Sequence, residues 1–173
     1  MVVEPRPSKK RKLTEKTPAR GFPLFLGEIT MNRFIFLSDK FYEDYPTNLY
    51  PEIEQKSDRP YIYVAMQIGG IQFAVPLRSD IKHAHVLWTD KKNKCGVDFS
   101  KAVVIVTPSY INTSKRPYIR PNEFRTLLGK EYIIYTKMVS YIKKYKNAKS
   151  NFNIEANRRL CLYSTLQYFE KYI

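Results

Sequence analysis

Two β-rich runs, Pro60 to Ile68 and Ile71 to Leu77, stand on either side of Gly69-Gly70. A glycine pair supplies the positive φ angles that a two-residue turn needs, so the runs are predicted to fold back on each other as an antiparallel hairpin. Parallel neighbours would instead need a long crossover between them, and none is available here. The other signals sort by half. Phe34 to Leu37 reads as a strand bounded by Ser38, which can cap a short helix from Asp39 to Tyr45 before Pro46 stops it. Ala84 to Trp88 reads as a further strand, Lys91, Lys92 and Lys94 as a basic loop, and the β-branched run Ala102 to Val106 as a core strand ended by Pro108. In the second half, Asn122 can cap a long helix from Glu123 to about Tyr145, with Leu128, Tyr132, Tyr135, Val139 and Ile142 on one face. A last helix from Ile154 carries Leu162, Leu166, Phe169 and Ile173 at helical spacing. Strands first and helices afterwards predict an α+β fold, an antiparallel sheet with helices packed on it.

The 173 residues suit one domain, and at 43% hydrophobic they can bury a sizeable core. The formal net charge of +14 favours a polyanionic partner, while 14% aromatic residues supply stacking surface for unpaired bases as well as core volume. Residues 1–20 hold seven Lys and Arg against two Glu, with three prolines, a composition that cannot repay the entropy of ordering. Residues 1–30 are therefore expected to form a basic arm, and 31–173 a single folded domain that is itself basic. Lys9 to Lys12 would pass for a nuclear localisation run, and Met31, leading straight into the first strand, reads as an alternative chain start. Cys95 and Cys161 lie too far apart in sequence for a zinc cluster or a disulfide framework and fit a reducing cytoplasm. No apolar run has the length of a membrane span or a secretory signal, so no membrane partner is expected.

Neither a Walker loop, a dinucleotide fingerprint nor an HExxH motif is present, so no cofactor is expected. The densest chemistry is Arg78-Ser79-Asp80-Ile81-Lys82-His83-Ala84-His85, where the second hairpin strand ends. RNA carries its own nucleophile, the 2′-hydroxyl. Its cleavage needs a base for that proton, donors or cations for the phosphorane oxygens, and an acid for the leaving 5′-oxygen. His83 suits acid or base work, Arg78, Lys82 and Arg59 suit the phosphate, and Ser79 can position an oxygen. The weaker readings of the same residues are a metal site on His83 and His85 and a triad of Ser79, His83 and Asp80; neither has a completed ligand shell or a nucleophile elbow. No metal is expected. Tyr61 on the hairpin and Tyr118 beside Lys115 and Arg116 either stack bases or fill the core, and the lysines of the long helix are either a solvated face or a footprint for phosphates. The same basic and aromatic residues would serve a non-catalytic RNA- or DNA-binding module.

The segments Arg59-Pro60-Tyr61, Ile68-Gly69-Gly70, Phe73-Ala74-Val75-Pro76-Leu77-Arg78-Ser79 with Ile81 and His83, and Gly96-Val97-Asp98-Phe99-Ser100-Lys101-Ala102-Val103-Val104-Ile105 together resemble a known family. It is that of the endoribonuclease toxins of type III toxin–antitoxin systems, the ToxN/AbiQ superfamily, with the closest likeness to the TenpN branch. The resemblance covers about Met31 to Ile173. It implies a bent antiparallel sheet, a partial barrel, surrounded by helices. It also implies metal-independent cleavage of cellular or phage mRNA to a 2′,3′-cyclic phosphate, in abortive phage defence. The implied inhibitor is a small repeated pseudoknot RNA that assembles with the toxin into rings. The family's active-site serine maps onto Ser79. Where the family has a lysine two places on, this chain has Ile81, so Lys82 or His83 takes that part; the aromatic of the short helix corresponds to Phe41 or Tyr42.

Overall fold

The computed structural model describes residues 33–65 and 70–173. The basic arm and Met31 lie outside these residues, and so do Ile68 and Gly69 of the expected hairpin turn. The order of elements is β1 (Arg33–Leu37), α1 (Asp39–Asp44), β2 (Tyr61–Ala65), β3 (Gln72–Arg78), β4 (Val86–Asp90), β5 (Cys95–Asp98), β6 (Val103–Val104), β7 (Ile111–Asn112), α2 (Pro121–Leu127), α3 (Glu131–Ser150) and α4 (Glu155–Tyr163). The fold is α+β, with an antiparallel sheet of seven described strands ordered β4-β5-β3-β2-β1-β7, and β6 also paired to β3. The expected antiparallel hairpin is the pair β2 and β3, in register from Tyr61 opposite Pro76 to Ala65 opposite Gln72, a register two residues away from the one a two-residue turn at Gly69-Gly70 would set. Gly70 takes a φ of +67°, the left-handed conformation that glycine reaches without steric cost. The sheet is not closed: β4 and β7 are its ends, so the partial barrel expected above is not seen as a closed form.

One edge of β3 serves two strands. Leu77 and Arg78 pair with Val97 and Gly96 of β5, whereas Phe73 and Ala74 pair with Val104 and Val103 of β6. Between the two ladders the register jumps by three residues, and the three-residue 3-10 turn Phe99–Lys101 takes up the difference. Pro76 supplies the reason. The Leu77 N–H bonds the Pro60 carbonyl on the β2 side, so alternation turns position 76 toward β5 and β6, where proline has no N–H to offer. The ladder breaks there, and Asp98 caps the turn that leaves it by accepting from the Ser100 N–H.

This turn is also tied from behind. The Ser164 hydroxyl donates to the Ser100 carbonyl at 3.3 Å, and the Thr165 hydroxyl bonds the carbonyls of Ser100 at 3.2 Å and Ala102 at 2.5 Å. The expected last helix accordingly ends at Tyr163. Ser164 caps a 3-10 turn, Thr165–Tyr168, that carries Leu166 and Phe169 into the core, and Cys161 is buried in place of exposed Leu162. The expected long helix is likewise two. Pro121 opens α2 with Arg120 rather than Asn122 at its cap, and Gly129, at a φ of +68°, separates it from α3. That break resets the helical phase: α3 buries Ile134, Met138, Tyr141, Tyr145 and Ala148, while Leu128 and Tyr132 face solvent. Strand β4 starts two residues later than expected, and the lysine loop is its hairpin turn into β5, with Asp90 accepting from the Asn93 N–H.

Gly96 pairs with Trp88 across the β4–β5 ladder, and a Cβ there would lie 2.6 Å from both the Leu87 carbonyl oxygen and Val86 Cγ2. Backbone cannot swing aside as a side chain can, so the two strands would have to part. Gly96→Ala is expected to destabilise the protein by about 1–3 kcal/mol, the range of overpacked cores, measured by urea denaturation. A loss under about 0.5 kcal/mol, the scatter of ordinary surface changes, would remove this account of the glycine. Among the described residues, no helix is long and apolar enough to cross a membrane.

Candidate functional site

Strand β3 ends on Arg78, and Asp80, at a φ of 55°, turns the chain sharply after Ser79. Two features lie on either side of that end. The first is a cleft of about 280 Å³ lined by residues from three separate segments: Lys56, Asp58, Arg59 and Pro60 before β2, Leu77 and Arg78 of β3 with Ser79 just beyond it, and Tyr118, Ile119, Arg120 and Glu123 around the start of α2. Its lining carries four cationic side chains against two carboxylates. Ser79 is exposed there, and its hydroxyl has no hydrogen-bond partner among the described residues. Tyr118 is 78% exposed, a free aromatic face at the rim.

The second feature is a charge network behind the cleft. Glu54 takes Arg59 Nη2 at 2.7 Å and Lys56 Nζ at 3.2 Å, and it also binds Arg78 Nη2. Arg78 then reaches Asp98 through Nη1 at 2.5 Å, while its Nε is buried without a hydrogen-bond partner. Asp98 is 0% exposed and collects three further donors: Ser100 N–H at 3.0 Å and Ser100 Oγ at 2.6 Å on one oxygen, and His83 Nε2 at 3.3 Å on the other. Burial pushes its pKa up, but the bonds from His83, Ser100 and Arg78 outweigh burial and hold the carboxyl at about 2. Glu54 is held at about 2 in the same way, burial being outweighed by Arg59, Arg78 and Lys56. Both acids are thus carboxylates at neutral pH.

These contacts fix the tautomer of His83. Its Nδ1 accepts the His85 backbone N–H at 3.2 Å, so in the neutral ring the proton sits on Nε2, shared between Asp98 and the Ser100 hydroxyl at 3.2 Å. Nδ1 is therefore the basic atom, and Asp98 orients the ring by holding the other nitrogen. The 3-10 turn enforced at Pro76 is what brings Asp98 and Ser100 under His83.

The sequence-predicted residues divide as follows. Arg59, Arg78, Ser79 and Tyr118 line one cleft, and His83 joins them through Asp98 and Arg78. Lys82 stays apart, paired at 3.3 Å with Asp80 on the surface. Lys115 and Arg116 are exposed on the loop leading to Tyr118 but do not line the cleft. Tyr61 is 3% exposed, with a pKa raised by burial to about 12, so it is a core residue and offers no stacking face. Tyr42 is half-buried and donates to the Lys56 carbonyl at 2.9 Å, buttressing the cleft wall instead of lining it. Phe41 is wholly buried.

Reasoning from sequence missed Glu54, Asp98, Ser100 and Glu123. Asp98 and Ser100 stand in the quoted Gly-Val-Asp-Phe-Ser segment, where a lone acid within an apolar run was the available signal. Glu123 is buried between Thr89 Oγ1 at 2.9 Å and Arg120 Nε at 2.7 Å, and Arg120 also reaches Cys95 Sγ at 3.4 Å. Among the described residues, no three His, Cys, Asp or Glu side chains are grouped to hold a metal ion. Comparison with models of known protein families yields no match, and comparison with curated proteins yields none either.

Proposed function

We propose that this chain is an endoribonuclease toxin of the type III class. In this reading it cleaves single-stranded RNA without metal, by attack of the 2′-hydroxyl, leaving a 2′,3′-cyclic phosphate, and a repeated pseudoknot RNA restrains it. The observation that carries the reading is the meeting of Arg59, Arg78, Ser79, Tyr118 and Arg120 around one cleft, with His83 anchored behind it. Arg120 and Lys56 offer charge to a phosphate, Tyr118 a face to a base, and the free Ser79 hydroxyl a donor to a non-bridging oxygen. His83 Nδ1, left unprotonated in the neutral ring because Nε2 is held by Asp98, takes the 2′-hydroxyl proton once it releases the weak bond from His85.

Incubation of the protein with single-stranded RNA in EDTA, followed by end analysis, tests this. Cleavage with 2′,3′-cyclic phosphate and 5′-hydroxyl ends is expected; dependence on Mg²⁺ or 3′-hydroxyl ends would refute the mechanism. A specific observation favours a second reading, a non-catalytic RNA-binding module: both ring nitrogens of His83 are engaged by the protein, and Lys82 lies away from the cleft. RNA binding with no cleavage under any of these conditions would select it.

A further inference from the structure

On the far side of His83 lies a separate pocket of about 250 Å³, between the segment Ala84–Val86 and helix α3, lined also by Phe99, Lys137, Ser140, Tyr141 and Lys144. Its size falls below the roughly 300–1,000 Å³ of sites for drug-sized ligands and suits a single small group. Lys137, Ser140, Tyr141 and Lys144 follow one another at helical spacing, so α3 turns both lysines and the serine toward the same hollow. No carboxylate lines it. Neither lysine forms an ion pair among the described residues, and the Ser140 hydroxyl has no hydrogen-bond partner there. Val86, Phe99 and the Tyr141 ring form its apolar wall, while Lys137, Ser140 and Lys144 are exposed along its mouth. His85 completes the lining, its ring 5.1 Å from that of Tyr141 and 5.7 Å from that of His83.

We propose that this pocket is an anion site that holds one phosphate group of a bound RNA, with Lys137, Ser140 and Lys144 donating to its oxygens and His85 closing the fourth side as an imidazolium. The inference rests on the RNA reading above and extends it: the strand would be gripped on both sides of His83, in the cleft by Arg120 and Lys56 and here by α3. The groups that face His85 are Lys137, Lys144 and Tyr141 from α3, His83 from its own segment, and Asp98 at the end of β5. Burial, Lys144 and His83 lower the pKa of His85, with Asp98 opposing them, so the free pocket holds His85 less readily protonated than an ordinary histidine. A bound phosphate offsets the two lysine charges, so phosphate binding and protonation of the His85 ring favour each other.

The chain has two histidines, so imidazole NMR signals of the full-length protein report the site directly. Inorganic phosphate is expected to raise the titration midpoint of His85 by about one pH unit. A nuclease-resistant 2′-O-methyl oligonucleotide is expected to raise it too, in competition with phosphate. In the double variant Lys137→Ala/Lys144→Ala the midpoint without ligand should move up, because the Lys144 repulsion is gone, while the rise on adding phosphate should vanish. A His85 midpoint that ignores saturating phosphate, or a rise that survives in the double variant, overturns the site. Phosphate binding that the oligonucleotide cannot displace overturns its assignment to RNA. An oligonucleotide that perturbs Ser79 and Tyr118 but leaves His85 at its free midpoint overturns this inference alone. Phosphate and oligonucleotide competing at His85 in a protein that cleaves no RNA support it after the nuclease reading has failed.

Discussion

Replacing Asp98 by alanine is expected to cost about 3–5 kcal/mol of folding stability, the penalty of breaking a buried ion pair from one side. The carboxylate is 0% exposed and accepts from Arg78, His83 and two donors of Ser100, so its loss strands several donors at once. Arg78 keeps Glu54 as a partner, which places the expected loss toward the lower end of that range. The pH dependence gives a second reading of the same group. A carboxyl whose folded pKa is depressed contributes stability that is fully present above its unfolded value and disappears as the pH falls through the folded value. For Asp98 that window runs from about 3.8 down to about 2. The width corresponds to about 2 kcal/mol at neutral pH. Asp98→Asn should therefore be less stable than the parent at pH 7 and should lose less on acidification between pH 4 and pH 2, as measured by urea titrations at each pH. Parallel acid curves for the two proteins would show that the network is not what holds this turn.

Cleavage by His83→Ala is expected to fall by about 10²–10⁴-fold, the usual contribution of a positioned general base or acid, while affinity for a nuclease-resistant RNA stays within a few-fold. The separation follows from geometry. His83 lies behind the cleft, joined to it through Asp98 and Arg78, whereas Lys56, Arg120 and Tyr118, to which the proposal gives the strand, line the cleft without touching His83. Circular dichroism and a denaturation midpoint guard against a trivial cause, since Asp98 retains Arg78 and Ser100 in the variant. Equal losses of binding and cleavage would make His83 a prop for the network and not the base. Ser79→Ala, at an exposed hydroxyl free of partners among the described residues, should leave stability unchanged, so any loss of cleavage there belongs to the reaction.

What could be read in advance was what depends on neighbours in sequence. Ser38 caps α1 because its hydroxyl can reach the Phe41 N–H three residues on, and β2 pairs with β3 because a glycine-bearing turn joins them. The misreadings share a different origin. Helical periodicity through residues 123–145 looks continuous, yet a single glycine with positive φ rotates the stripe, so Ile134 and Met138 are buried and Tyr132 is not. Strand β5 was hidden because Cys95-Gly96-Val97-Asp98 holds a glycine and an acid, and only the close approach of β4 and the presence of Arg78 make those residues favourable in a strand. The candidate site divides along the same line. Arg78, Ser79 and His83 stood out as a local cluster, whereas Glu54, Asp98 and Arg120 reach it from distant segments through tertiary pairing that spacing does not encode. Lys82, adjacent to His83 in sequence, is directed to the surface and Asp80.

The hydroxyls of Ser164 and Thr165 close on the carbonyls of Ser100 and Ala102 from more than sixty positions further along the chain. Chains emerge from the ribosome in order, so β3, His83 and Asp98 are all synthesised well before the residues that fasten the turn beneath them. A nascent chain that has reached only α3 can pair its strands but leaves those carbonyls without their partners and Asp98 on a loosely held turn. Contacts of such long sequence separation also form late in folding, after the local hairpins and helices. The arrangement proposed above is therefore completed only once Ser164 and Thr165 have been made, and a nascent chain shorter than that would lack the ties that hold Asp98 beside His83.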